Sequence, residues 1–225
     1  MANLLKLEIR RNRLTPYIIA SIIVFAGIAA LMLVAAFDES DPATYASLIY
    51  LTSILTVISF AIVSSVMYAK FLIGEYHGEA RTLLFSYPVK RSRILIAKVS
   101  LVFGFTVLAT MLSNALAFVI LYFTESMNNV IQDHFTTEAL FMMIRYTLLA
   151  ATASSIFGFI AFMIGFRMKS VPAAIVSAVI IGAALNDVIR MAAQQTIIIG
   201  FCGFVAIGII LMFVLIKRVN NLEVD

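Results

Sequence analysis

Few side chains in this sequence could take part in catalysis, and they do not occur in the arrangements that catalysis needs. The two histidines, His77 and His134, fall in loops that face opposite sides of a membrane in the predicted topology, so they cannot share a metal ion. No G-x-x-x-x-G-K-[ST] phosphate loop, H-E-x-x-H zinc motif or G-x-S-x-G nucleophile turn occurs. We therefore predict that the chain is not an enzyme and that it holds no metal, ATP or other cofactor by itself.

A second group of polar residues lies inside long apolar segments. Thr52, Thr56 and Ser59 recur at helical spacing in one segment, Asn114 lies in the next and Ser154 in the one after. Such groups commonly join transmembrane helices through interhelical hydrogen bonds. They could equally line the path of a transported molecule, and the sequence leaves both interpretations open.

Ionisable residues are almost absent from the middle of the apolar segments. Transporters driven by protons or sodium ions usually place such residues there, because they carry the coupling ion. The nearest candidates, Asp187 and Arg190, lie three residues apart at the polar end of the fifth segment, where an interfacial ion pair is the simpler interpretation. If the chain transports anything, the energy must come from elsewhere.

The composition identifies lipid as the solvent of this chain. Of its 225 residues, 63% are hydrophobic and only 12% are charged, and soluble domains carry about twice that charged fraction. We predict an all-α membrane protein with a single domain over residues 1–225. Six apolar segments reach the roughly 20 residues that a spanning helix needs: 16–37, 46–72, 94–123, 139–166, 171–193 and 196–216. The fifth is the least regular, because its short apolar part is followed by polar NDVIR.

Basic residues are distributed unequally between the two sides of the predicted membrane. Fourteen of the 16 Lys and Arg residues lie on the side of both termini, and the other side holds only Arg145 and Arg190 together with seven acidic residues. Because positively charged loops stay in the cytosol, we predict a multi-pass membrane protein with both termini cytosolic. The net charge of +4 then reflects topology and contact with anionic lipid, not nucleic-acid binding.

Residues 1–14, MANLLKLEIRRNRL, read as a helix that lies on the membrane surface. The polar stripe Asn3, Lys6, Arg10 and Arg13 is opposed by an apolar stripe that includes Leu5. We expect an interfacial elbow helix here, and a simple basic anchor for the topology is the alternative.

Residues 73–93 form the largest predicted cytosolic loop, and their pattern is too ordered for a tether. Glu75 and Glu79 are one helical turn apart, the charged and apolar residues Arg81, Leu83 and Leu84 follow, and Pro88 breaks the segment before Arg91. The pattern predicts a short amphipathic helix, a turn and a basic return to the membrane. Such a surface can dock a soluble partner through charge and a few apolar anchors; a solvated loop that serves only topology is the alternative.

In this loop the sequence resembles the type-2 ABC exporter permeases, six-span membrane subunits of bacterial lantibiotic-immunity and peptide-export systems. These permeases have an elbow helix, a second span that ends in an acidic residue and glycine, a Leu-Leu…Pro-Val/Ile-x-Arg stretch and a Lys at the start of the third span. The matching residues here are Glu75, Gly78, Thr82, Leu83, Leu84, Pro88, Val89, Arg91 and Lys98. One departure is that three residues separate Gly78 from Thr82, where the family often has adjacent Gly-Thr.

The resemblance implies the non-catalytic membrane subunit of an ATP-driven exporter in the bacterial plasma membrane, with ATP and Mg²⁺ bound by separate ABC ATPase subunits. A coupling helix around residues 75–84 would dock on the ATPase. The residues that couple to the ATPase would be Glu75, Gly78, Glu79, Arg81, Thr82, Leu83, Leu84, Pro88 and Arg91. A second permease copy or a related permease would complete the pore, and amphipathic or hydrophobic peptides such as antimicrobials would be the substrates. The alternatives are a secondary transporter and a membrane immunity or scaffold protein that works without an ATPase.

Overall fold

The computed structural model describes residues 14–38, 44–73, 91–128, 131, 135–168, 170–184, 202–211 and 213. Helices make up the regular structure of these residues: α1 Thr15–Ala36, α2 Tyr45–Tyr68 with a π-helical turn Ala69–Ile73 at its end, α3 Arg91–Asn128, α4 Thr137–Met168, α5 Val171–Ala184 and α6 Cys202–Leu211. The prediction of an all-α membrane protein is confirmed.

The helices α1 to α4 are long and apolar enough to cross a membrane, and they agree with the first four predicted segments. The largest difference is in α3, whose 38 residues continue to Asn128, five residues beyond the predicted end of the third segment. The helix α5 has 14 residues and α6 is also short. Because the predicted fifth and sixth segments continue into residues outside the described ranges, the total of six spans stays a prediction. The predicted elbow helix, residues 1–13, also lies outside them.

Local sequence explains where several helices begin. Thr44 and Ser47 form a reciprocal capping box before α2, in which each hydroxyl accepts a hydrogen bond from the other residue's backbone N–H, at 3.2 and 3.1 Å. Pro16 lies in the first turn of α1, where its missing N–H costs nothing. Ser170 follows α4, and its hydroxyl accepts from the N–H of Ala173 in the first turn of α5.

The helices α2 and α4 share the largest interface, and α3 and α5 pack on both of them. In α4, 78% of the membrane-spanning window is buried, whereas the corresponding value for α1 is 17%. The helix α4 is therefore the centre of the described bundle and α1 is peripheral.

Charged residues distinguish the two ends of the bundle. Lys70, Lys98 and Arg167 lie where α2 ends, α3 begins and α4 ends, and we call this the basic end. Glu125 and Glu138 lie at the opposite, acidic end. Each end has its own apolar cluster: one around Tyr68, Phe71 and Phe162 at the basic end, and one around Met32, Ile49 and Leu121 at the acidic end.

Candidate functional site

A band of buried hydroxyl and amide side chains crosses the middle of the bundle where α2, α3 and α4 meet. We call it the polar seam, and each of its members exposes 1% or less of its surface. The seam contains Thr52, Thr56, Asn114 and Ser154 of the residues predicted to face a translocation path, and Thr106 and Thr110 of α3 join them without having been predicted. Its members are Thr52, Thr56, Ser64, Thr106, Thr110, Asn114 and Ser154.

Hydrogen bonds in the polar seam join all three pairs of helices. The α2–α3 pair is joined by Thr56 Oγ1 and Asn114 Oδ1, which are 2.8 Å apart. The α3–α4 pair is joined by the hydroxyls of Thr110 and Ser154 at 3.1 Å. The α2–α4 pair is joined by the Ser64 hydroxyl, whose proton is shared between the Ala61 carbonyl of its own helix at 3.1 Å and the Ser154 carbonyl at 3.4 Å. The seam therefore holds the core of the bundle in one register.

The Asn114 amide can satisfy its neighbours in only one orientation. The single hydroxyl proton of Thr56 lies within reach of both the Thr52 carbonyl and the Asn114 side chain, while Asn114 Nδ2 is buried without a partner. One proton cannot serve two acceptors well. When the amide is turned by 180°, its N–H donates to Thr56 Oγ1 and the Thr56 proton is left for the Thr52 carbonyl. This assignment is chemically consistent, because the oxygen and nitrogen of an amide are distinguished by their hydrogen bonds.

The other hydroxyls of the seam bond to the backbone of their own helix. Thr52 donates to the Leu48 carbonyl at 2.7 Å, and Thr106 to the Val102 carbonyl at 2.9 Å. A donor without a partner is costly in an apolar surrounding, and a carbonyl one turn earlier is the nearest acceptor. Ser59, the fifth residue in the predicted set, is only half-buried and makes no hydrogen bond to the seam. This geometry favours helix joining for Thr56, Asn114 and Ser154, whereas Thr52 bonds within its own helix. The role of these four residues and Ser59 in a translocation path stays a prediction.

A buried cation lies outside the seam, at the basic end. Lys98 in α3 exposes only 3% of its surface, and its Nζ donates to the carbonyl of Phe71 at 3.1 Å. Phe71 belongs to the π-helical turn that ends α2, and its ring packs edge-on against Tyr17 of α1 with the ring centroids 5.5 Å apart. The sequence marks Lys98 only as a match to the family pattern, because no spacing rule shows that its helix face is buried.

An apolar cavity of about 430 Å³ lies between α3, α4, α6 and the end of α2. Its wall is mostly aromatic and aliphatic, and includes Tyr68, Val99, Phe103, Phe159 and Phe213. The buried hydroxyls of Tyr68 and Ser155 adjoin each other in this wall, and neither completes a hydrogen bond of normal geometry with the described chain. The sequence gives no sign of the cavity, because four separate helices form it.

The residues assigned to ATPase coupling flank the basic end in sequence. Arg91 is the first residue of α3, and the π-helical turn ends at Ile73. The other eight, Glu75, Gly78, Glu79, Arg81, Thr82, Leu83, Leu84 and Pro88, lie outside the described residues. The two helices that must carry any movement of this segment into the membrane are therefore α2 and α3.

The bundle of apolar helices and its buried polar seam define a multi-pass membrane protein, and comparison with known proteins defines its family. Residues 4–137, more than half of the chain, match the sequence model of the ABC-2 family of transporter proteins. The chain belongs to this family, and it is a non-catalytic membrane subunit, or permease, of an ABC transporter.

A relative from Bacillus subtilis (strain 168), the uncharacterized protein YcbO, is 25% identical over 185 residues, which cover 80% of this chain and 81% of the relative. No solved structure matches.

Proposed function

We propose that this permease is the transmembrane subunit of an ATP-driven exporter of amphipathic or hydrophobic peptides, including antimicrobials, and that separate ABC ATPase subunits drive it. The observation that carries the proposal is the family match over residues 4–137, because it includes the whole of the segment 73–93. That segment is the part of the chain whose charge and apolar pattern suits docking on a soluble partner.

Coupling begins at the segment 73–93. Two ATPase subunits close on ATP, and the segment, seated on one of them, is displaced with it. Because α2 leads directly into the segment and α3 leads out of it, the displacement reaches these two helices first. Both are tied to α4 through the polar seam, so that the core of the bundle responds as one body.

The substrate class follows from the surfaces that the chain offers. The apolar cavity at the basic end accepts aliphatic or aromatic groups, and its nearly unbroken apolar wall does not suit a highly charged solute. In the predicted topology, fourteen of the 16 basic residues lie on the side of the basic end, and the positive-inside rule assigns that side to the cytosol. A substrate that enters the cavity from the inner leaflet and leaves on the other side is exported, and a second copy or a related permease completes its path.

The charge of Glu75 provides the test. We expect Glu75→Ala and Glu75→Arg to insert normally, because the residue lies outside the spans. Loss of a charge from a docking contact costs roughly 2 kcal/mol or more, which is at least about tenfold in affinity. The measurements are ATPase hydrolysis by the purified complex and the resistance of cells to a panel of amphipathic antimicrobial peptides. We expect the complexes with Glu75→Ala and Glu75→Arg to hydrolyse ATP while the cells that carry them lose resistance to the peptides.

Glu138→Ala is the matched control, since Glu138 is an exposed carboxylate at the acidic end, far along the chain from the segment 73–93. It should retain both hydrolysis and resistance. Full resistance in both Glu75 variants would exclude the docking role of this residue. Accumulation of peptide by the purified permease without any ATPase would exclude the proposed function altogether.

A further inference from the structure

A lysine is buried at the basic end in an apolar surrounding. On the same face of α3, Leu95, Leu101 and Val102 lie three or four residues from Lys98, and each is at most 7% exposed. All three belong to the apolar cluster that also contains Phe71. An ammonium group that is removed from water loses its hydration, so it persists there only when it is hydrogen-bonded. The position of Lys98 therefore calls for a structural or functional reason.

The acceptor of Lys98 lies at the end of a helix. Phe71 is in the last turn of the continuous helix formed by α2 and its π-helical extension. The last carbonyls of a helix are the ones that take donors from elsewhere in a protein. The partial negative charge at a helix C-terminus also favours a nearby cation. Lys98 is thus a cap on α2 that another helix supplies, 27 residues later in the chain.

This hydrogen bond closes the base of the segment 73–93. Phe71 lies just before the segment. Lys98 lies just after it, as the eighth residue of α3. The π-helical turn also contacts α1, through the edge-on packing of Phe71 on Tyr17. Isolated π-helical turns are rare and occur often at functional sites. Three helices therefore meet at the point where the segment enters and leaves the bundle.

We propose that Lys98 is a positioning residue for energy coupling: its hydrogen bond to Phe71 makes the end of α2 and the start of α3 move together when the segment between them is displaced. Without it, the two helices can separate at the basic end, and displacement of the segment is absorbed locally. The inference rests on the proposed function, because it assumes that the segment docks on an ATPase.

The test measures movement at the far end of the bundle. Spin labels are placed on Phe37→Cys at the end of α1 and Ser126→Cys near the end of α3, both exposed, in a Cys202→Ala background. The distance between the labels is measured in the complex with its ATPase, without nucleotide and after trapping with ATP and vanadate. We expect a nucleotide-dependent shift in the wild type, its loss in Lys98→Met, which keeps the apolar stem, and its retention in Lys98→Arg.

Lys70→Met is the matched control, because Lys70 lies on the same π-helical turn but is exposed. It removes the same charge and should leave the shift unchanged. Lys98→Gln, which is neutral and too short to reproduce the bond, repeats the test if Lys98→Met does not assemble.

Three outcomes have distinct meanings. A normal shift in Lys98→Met or Lys98→Gln overturns the role of Lys98. Equal distances in both nucleotide states of a wild type that copurifies with an ATPase also overturn it, because no movement is then transmitted. Absence of any ATPase from the wild-type complex overturns the proposed function itself.

Discussion

At the scale of single residues, the polar seam shows how hydroxyl groups are accommodated in a membrane protein core. Each hydroxyl of the seam has a hydrogen-bond partner, either a carbonyl of its own helix or a group on a neighbouring helix. The bonds Thr56–Asn114 and Thr110–Ser154 each join side chains of two different helices, and the first is the shorter, at 2.8 Å. The free energy of the first bond can therefore be measured by changing both partners.

We expect Thr56→Val and Asn114→Leu to show a coupling free energy of about 0.6 kcal/mol, with about 1.7 kcal/mol as an upper value. The value is modest because the unfolded state within a membrane also offers hydrogen-bond partners. A double-mutant cycle of unfolding in detergent measures it. Thr147→Val is the control, since the Thr147 hydroxyl bonds only to the Met143 carbonyl of its own helix. Combined with Asn114→Leu it should give no coupling, and an equal coupling in both cycles would refute the interhelical bond.

The sequence predicts one side of the seam better than the other. Helical spacing places Thr52 and Thr56 on one face of α2, and both are buried in the seam. The same spacing includes Ser59, which is half-buried and outside the seam. A step of three residues is less than one full turn of a helix, so Ser59 lies to one side of the line through Thr52 and Thr56. Thr110 was missed, since spacing along α3 does not show which of its hydroxyls meets Ser154 on another helix.

At the scale of helices, the close approach of α2 and α4 depends on glycine. A Cβ added to Gly158 would overlap the Ser64 side chain and would lie 2.9 Å from the Ala61 carbonyl oxygen. Because that oxygen belongs to the backbone, it cannot turn aside as a flexible side chain would. Gly165 similarly permits α4 and α5 to approach, since an added Cβ would meet Ala174 at 2.5 Å. Small residues commonly serve this purpose between transmembrane helices.

We expect Gly158→Ala to destabilise the protein by about 1–3 kcal/mol, because overpacking forces the two helices apart. Gly104→Ala is the matched control, since no atom lies within 4 Å of the added methyl group in the middle of α3. It should leave stability within about 1 kcal/mol of the wild type, because alanine favours a helix by that amount. Thermal unfolding in one detergent compares them, and equal melting temperatures would contradict the close α2–α4 crossing.

The sequence shows where several helices begin, but it does not show where α2 and α3 end. Thr44, Pro16 and Pro172 mark helix starts that are visible in the sequence. The π-helical end of α2 has no such signal in the sequence, because its contacts are with Lys98 of α3 and Tyr17 of α1, which are distant along the chain. The extension of α3 to Asn128 was also missed, since polar residues at a span end can continue a helix beyond the lipid.

At the scale of the whole molecule, the charge distribution and the helix bundle agree on two unlike ends. The basic end carries a buried cation and an apolar cavity, and the acidic end carries Glu125, which accepts a hydrogen bond from the Ile131 N–H at 2.9 Å. The family and the apolar helices were both predictable from the sequence alone, since they depend on local pattern. The cavity was not, because it requires knowing which four helices are neighbours.

We expect a reporter fused after Asp225 to behave as cytosolic and one inserted near Asn128 to behave as external, because basic loops resist export. A pair of enzymes that are active on opposite sides of the membrane provides the measurement. An insertion between Ser86 and Tyr87 is the internal control and should match the C-terminal fusion. The reverse result for both fusions would invert the direction of transport that we propose.

The enclosed position of α4 also has a consequence for biosynthesis. Its middle, with the buried hydroxyls Thr152, Ser154 and Ser155, touches protein on nearly every side, and α2 and α3 emerge from the ribosome before it does. These two helices can therefore form the groove in which α4 packs by the time α4 leaves the translocon. The segments after α4 then pack around a helix that is already in place. Truncation after α3 should therefore leave a product that quality-control proteases degrade, and truncation after α5 should leave a longer-lived product.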